Sequence, residues 1–176
     1  MPVTVNIPKE KWTGRVREVS LGATSDEGGS RKRRVVVGGE TTLPFLHFEG
    51  EVPHRPAIAI EVQDRYPQDW SPLLLEAWGE VAKDPAAWAQ KAEELGADLV
   101  ALSLRSASPE SGNTGAAEAQ ANVRAVLEAT GLPLIVYGPG QAEKDNEVLV
   151  AAAEAAKGER IALGNCEDKN YRTIVA

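Results

Sequence analysis

Cysteine and histidine are scarce: Cys166 stands alone, and the two histidines are His47 and His54. A lone thiol closes no internal disulfide and supplies no four-thiolate zinc or iron–sulfur site. The two imidazoles lack the spacing that places a pair on one helix face. With no histidine after residue 54, no Ser–His–Asp set is readable beyond the first third of the chain. We therefore expect neither a metal site nor a catalytic residue in this chain. Long apolar runs are missing too, so nothing approaches the roughly 20 residues that span a bilayer. Met1-Pro2-Val3-Thr4 lacks the basic-then-apolar layout of a signal peptide, so the expected location is cytoplasmic, with no membrane partner. Positive charge is also short. Lys and Arg number 19 against 26 Asp and Glu, for a net charge of -7. Such a surface repels phosphate backbones, and nucleic acid is not an expected partner. The one basic run, Arg31-Lys32-Arg33-Arg34, has no interleaved aromatics and reads as a solvated hairpin arm.

What is present is ordinary for a folded chain of 176 residues: 43% hydrophobic and 26% charged. Residues 1–56 read as an N-terminal β-hairpin and extended arm. Val16-Arg17-Glu18-Val19-Ser20-Leu21 alternates like a half-buried strand, and Arg34-Val35-Val36-Val37 is a second β-branched run. Between them lie the turn residues Asp26-Glu27-Gly28-Gly29-Ser30. Gly38-Gly39 then releases the chain into Glu40-Thr41-Thr42-Leu43-Pro44-Phe45, expected to be extended.

Residues 57–176 repeat one unit. Ala57–Val62 reads as a buried strand. Asp84-Pro85 is an N-cap with proline at the first helical position. Trp88, Ala92 and Leu95 share a helix face that ends at Gly96. Leu99–Leu104 is the next strand. Ala119, Val123, Val126 and Leu127 make the next helix, closed by Gly131, and Leu134–Tyr137 the third strand. Val148, Ala152 and Ala155 line a third helix, closed by Gly158, and Arg160–Leu163 is the fourth strand. The tail from Tyr171 reads as the start of a fourth helix. This order predicts right-handed βαβ units and a parallel sheet. A doubly wound sheet should carry a glycine-rich turn after its first strand, and Gln63-Asp64-Arg65-Tyr66-Pro67 has no glycine. The expected fold is therefore α/β: the first four units of a TIM (β/α)8 barrel, preceded by the hairpin. Such a half barrel leaves two sheet edges unpaired, so residues 1–176 alone are not expected to be a stable monomer.

In such folds chemistry sits at the C-terminal edge of the strands. Alternation groups Ile58, Ile60 and Val62 against Ala59, Glu61 and Gln63. It likewise groups Val100, Leu102 and Leu104 against Ala101, Ser103 and Arg105. The bulky sets should meet helices. That leaves Glu61, Gln63, Ser103 and Arg105 facing inward near the mouth, with Asn165 after the fourth strand. Glu61 and Arg105 are expected to pair, either as a structural plug or as a polar floor under a ligand. Gly138-Pro139-Gly140 reads as a plain βα turn, since Pro139 removes a backbone donor that a phosphate cradle needs. Trp70 and Trp78 sit in a long connection, 63–84, which reads either as a lid or as aromatic packing on the helices.

Four segments carry a family resemblance: Trp12-Thr13-Gly14-Arg15-Val16-Arg17-Glu18-Val19, Gly38-Gly39-Glu40-Thr41-Thr42-Leu43-Pro44-Phe45, His47-Phe48-Glu49-Gly50-Glu51 and Glu61-Val62-Gln63-Asp64. They resemble the small subunits of corrinoid iron–sulfur proteins, which are also the delta subunits of the acetyl-CoA decarbonylase/synthase complex. The resemblance covers the whole chain. It implies a TIM barrel behind an N-terminal extension and a corrinoid shared with a large subunit that carries the [4Fe–4S] cluster. It also implies methyl transfer from methyltetrahydrofolate:corrinoid methyltransferase to acetyl-CoA synthase. The cysteine count agrees, because this chain cannot hold the cluster itself. Under that reading the candidate corrinoid-binding residues are Gln63, Asp64, Arg105, Tyr137 and Asn165, and the chain is a non-catalytic carrier subunit.

Two other readings stay open. One is a pterin-binding methyltransferase barrel acting on methyltetrahydrofolate, with Asn165 on the pterin and Glu61 or Asp64 on its ring N–H groups. The other is a docking module whose first 56 residues, with Leu43, Phe45 and Phe48, augment a partner sheet.

Overall fold

A computed structural model describes residues 5–176, so the reading of Met1-Pro2-Val3-Thr4 lies outside the described residues. Two short strands, β1 (Val19–Leu21) and β2 (Val35–Val37), form a two-stranded hairpin. The rest alternates strand and helix. It runs β3 (Ala59–Gln63), α1 (Pro72–Trp78), α2 (Pro85–Glu94), β4 (Leu99–Ser103), α3 (Ala116–Ala129), β5 (Leu134–Tyr137), α4 (Ala142–Ala155), β6 (Ala162–Gly164) and α5 (Tyr171–Val175). Strands β3 to β6 make one parallel sheet in sequential order β3-β4-β5-β6. The order never doubles back, so these four strands contain no topological switch point.

By contacts the chain forms two compact units. One comprises the residues up to Ser20 together with Val36–Ala57; the other comprises Leu21–Val35 together with Ile58–Ala176. In the first, Gly38 and Gly39 have φ of 91° and 86°. A Cβ at Gly38 would collide with the Arg17 carbonyl oxygen, and one at Gly39 would lie 2.7 Å from a Glu18 carboxylate oxygen. That close approach explains the paired glycines. The Gly39 amide donates to the Val16 carbonyl at 3.0 Å, and Val16 donates to the Glu40 carbonyl at 2.8 Å. The stretch expected to be extended through Phe45 instead turns: Pro44–Leu46 is a 3-10 turn. Proline fixes φ at the first turn position, and Thr42 Oγ1 donates to the Leu46 carbonyl.

In the second unit the alternation holds on β4 and β5; on β3, at the edge of the sheet, only Val62 of the expected apolar set is buried, with Ile58 exposed, and Leu95, past the end of α2, is exposed too. Val62, Val100, Leu102, Leu104, Leu134 and Val136 join one apolar cluster with Trp88, Val123, Val126, Val148 and Leu149 of the helices. That cluster lies between one face of the sheet and α2, α3 and α4. Asp84 caps α2, accepting from the Ala86 amide at 3.1 Å, with Pro85 following. Gly96 has φ of 86° just beyond that helix. The long connection contains α1 and is packed down. Trp70 meets the fully buried Trp88 edge-on, centroids 5.3 Å apart, and Trp78 lies 5.6 Å from it. The packing alternative therefore describes both indoles.

The basic run is a solvated arm only in part: Lys32, Arg33 and Arg34 are exposed, but its first residue is not. Arg31 is 4% exposed, beneath the N-terminal ends of the strands. Its Nη1 donates to the Thr130 carbonyl and its Nη2 to the Leu127 carbonyl, each at 2.7 Å, while Nε meets Glu159 at 2.8 Å. These carbonyls belong to the unsatisfied C-terminal end of α3, where the helix dipole also favours a cation. Beside it Glu93 accepts from Lys32 Nζ and Thr130 Oγ1, both at 2.7 Å, and from the Gly131 amide at 3.0 Å. Burial opposes ionisation of Glu93, but those three donors outweigh it and hold the carboxyl at about 2. Charge-run reasoning missed this because composition cannot show a helix end waiting for donors.

Candidate functional site

The face of the sheet away from the helices carries a register of its own. Glu61, Ala101, Ile135 and Ala162 lie side by side across the four strands. One step toward the C-terminal ends, Gln63, Ser103, Tyr137 and Gly164 form a second row. This second row sits where parallel folds place their chemistry. It offers an amide, a hydroxyl, a phenol ring and a bare backbone. A Cβ on Gly164 would sit 2.9 Å from the Tyr137 ring. The glycine thus makes room for that ring to lie close against β6.

The sequence-derived candidates divide. Gln63 and Tyr137 fall in this row. Arg105 begins a 3-10 turn, Arg105–Ala107, directly after β4 and is exposed. Asn165 follows β6, also exposed, and its carbonyl accepts from Asn170 Nδ2 at 2.9 Å. Asp64 is committed elsewhere. It accepts from the Ser106 amide at 2.8 Å, from Ser106 Oγ at 2.5 Å and from Asn122 Nδ2 of α3 at 3.2 Å. Burial pushes its carboxyl above the ordinary carboxylate value, although the Ser106 and Asn122 donors pull the other way. One residue beyond Gln63, its side chain turns toward the helix layer, as strand alternation requires.

The expected Glu61–Arg105 ion pair does not form. Glu61 accepts from Gln63 Nε2 at 3.0 Å instead. The register explains it: Glu61 lies opposite Ala101. Arg105 is four residues further on, roughly 13 Å along an extended strand.

Several supporting groups escaped the sequence reading. Ser106 Oγ also bonds Thr114 Oγ1 at 2.7 Å, which ties the two ends of the β4–α3 loop together. Asp145, 1% exposed, accepts from the Gly140 amide at 3.1 Å and braces the Gly138-Pro139-Gly140 turn. Burial raises its carboxyl, too. The signal was faint: a polar residue among the apolar positions of α4. Finally, a cavity of about 340 Å³ opens between the β3–α1 and β4–α3 loops, lined by Gln63, Arg65, Tyr66, Arg105 and Ser111 among others.

A family model described as CdhD, CO dehydrogenase/acetyl-CoA synthase delta subunit, matches residues 18–176. The chain belongs to this family. Curated delta-family relatives agree. The acetyl-CoA decarbonylase/synthase complex subunit delta of Archaeoglobus fulgidus is 46% identical over 89% of this chain and 35% of its own length. Subunit delta 1 of Methanosarcina thermophila is 40% identical over 88% of this chain and 35% of its own. Subunit delta of Methanopyrus kandleri is 38% identical over 92% and 40% respectively. The chain thus spans well under half the length of these delta subunits, matching one region of them. No helix among the described residues is long and apolar enough to cross a membrane.

Proposed function

We propose that this chain is the region of a corrinoid methyl-carrier subunit that covers one side of the corrinoid. In this reading its sheet is the first four strands of a (β/α)8 barrel. The observation that carries the proposal is the row Gln63, Ser103, Tyr137 and Gly164 on the helix-free face, at the C-terminal strand ends of a chain in the delta-subunit family. The residues suit the group. A corrinoid is a broad macrocycle fringed with amides. The Gln63 amide and Ser103 hydroxyl offer a donor and an acceptor each to such amides. The Tyr137 ring, seated close because Gly164 has no side chain, offers a flat apolar surface.

Bound there, the corrinoid supplies the cobalt chemistry of methyl transfer; this chain's residues orient it and keep water away. The [4Fe–4S] cluster belongs to a large partner subunit. The methyl group comes from methyltetrahydrofolate:corrinoid methyltransferase and passes to acetyl-CoA synthase. The N-terminal unit suits partner docking, since Leu43 and Phe45 are 44% and 72% exposed.

A pterin-binding enzyme is less well supported, because the Asp64 carboxylate is taken up by Ser106 and Asn122. The test is purification of the full-length subunit with its large partner. The pair should show a corrinoid absorption spectrum, and the subunit alone should not bind methyltetrahydrofolate tightly. A stable pair that takes up no corrinoid overturns the reading.

A further inference from the structure

The chain is acidic, and four of its eleven arginines are paired with carboxylates in the structure. Arg15 pairs with Glu18, Arg31 with Glu159, and Arg34 and Arg160 both with Glu27. Among the described residues Arg65 and Arg105 have no carboxylate partner, yet both line the same cavity of about 340 Å³ at the C-terminal edge of β3 and β4. Their placement is enforced. Asp64 and Ser106, the chain neighbours of the two arginines, are clamped by bonds of 2.8 Å and 2.5 Å. The Asp64 amide also donates to the Ser103 carbonyl at 3.2 Å. The fold therefore holds two guanidinium-bearing residues on one small concavity. Two like charges in a cleft repel each other unless an anion lies between them, and a concave wall strengthens their joint field.

The remaining lining adds neutral donors, the Tyr66 and Ser111 hydroxyls and the Gln68 amide, and a single carboxylate, the exposed Asp69. Two guanidiniums against one carboxylate leave the wall cationic. The volume is at the small end for ligand sites, suited to a compact group. Guanidinium forks match tetrahedral oxyanions through paired N–H···O bonds.

We propose that this cavity is an oxyanion site that binds a phosphoryl group between Arg65 and Arg105. The phosphoryl group has two chemical sources: the phosphodiester of a corrinoid's nucleotide tail, or a separate small phosphorylated molecule. The site shares Gln63 with the neighbouring row, but its two guanidiniums lie outside that row.

The experiment is calorimetric titration of inorganic phosphate into the full-length subunit in complex with its partner. Saturable binding is expected. Arg65→Gln and Arg105→Gln should each weaken it about tenfold, and the double variant should abolish it. Ser106→Ala, which loosens the clamp but keeps both guanidiniums, should weaken it less. Arg124→Gln removes an arginine that lines a different cavity, beside Arg31, and should leave it unchanged. Thermal melts of every variant check folding. A wild type that does not bind phosphate, a double variant that binds like the wild type, or an Arg124→Gln variant as weak as Arg105→Gln would each overturn the site.

The source is then read with cobalamin and with cobinamide, which lacks the nucleotide tail. If the double variant loses affinity for cobalamin alone, the phosphodiester is the ligand. If it holds both corrinoids normally but loses phosphate, the ligand is a separate molecule. Failure of the corrinoid reading shows as no uptake of either corrinoid, with the phosphate result standing apart.

Discussion

The two ends of the parallel sheet use the same side chain in opposite ways. Beneath the strands Arg31 is buried and saturated, its guanidinium spent on helix-end carbonyls and on Glu159. Above them Arg65 and Arg105 line a cavity and have no carboxylate partner among the described residues. At the lower end polar groups satisfy one another, which is what stability requires. At the upper end they are held in place but left with capacity to spare, which is what a ligand requires. In parallel α/β folds this division is general: the N-terminal face of the strands serves stability and the C-terminal face serves binding.

The contrast can be broken most directly at Arg31. Arg31→Met should cost about 3 kcal/mol, because Glu159 and the α3 carbonyls lose a buried partner. Urea unfolding reads this, and a loss under about 1 kcal/mol would mean that the lower end is not a structural lock.

Glu93→Gln should cost less, about 1 kcal/mol near pH 7, since the Lys32 ammonium is 72% exposed and screened by solvent. Its pH dependence sharpens the assignment. The folded carboxyl, near 2, lies below its ordinary 4.5. The folded state therefore favours the ionised form, and the contribution is complete above about pH 4.5. It fades as pH falls toward 2. The gap between wild type and Glu93→Gln should close over that window in urea titrations.

At the upper end, Tyr137→Ala should cost about 1 kcal/mol in stability, the ring being half-buried. The same variant should lower corrinoid retention by the subunit pair about tenfold, read from the visible spectrum. Retention equal to the wild type would remove Tyr137 from the site.

Arg105→Gln should be the quietest of all in unfolding experiments, within about 0.5 kcal/mol, as for an exposed residue without a structural partner. A cost comparable to that of Arg31→Met would erase the difference between the two ends.

The strand–helix alternation was legible from the chain because apolar period and capping are local. Asp84-Pro85 at the head of α2 and Gly96 after it are examples. The separation of Val62, Val100 and Leu102 from Gln63 and Ser103 followed from the two-residue period of a strand. Gln63 and Ser103 could therefore be placed together on one face near the C-terminal strand ends from the sequence.

The site's finer structure was not legible. Arg105 was read as a partner for Glu61 on the neighbouring strand, but register between strands separated by a helix is a tertiary property, and it placed Ala101 opposite Glu61. Asp64 looked like an available carboxylate until the β4–α3 loop and α3 brought Ser106 and Asn122 to it. Arg31 looked like solvent-exposed charge until the end of α3 met it. Local sequence determined which residues face the helices and which strand ends carry polar groups. Tertiary structure alone decided which of those polar groups are spent on one another and which are left free. Hydrogen-bond satisfaction depends on partners far apart in the chain, and no local pattern records them.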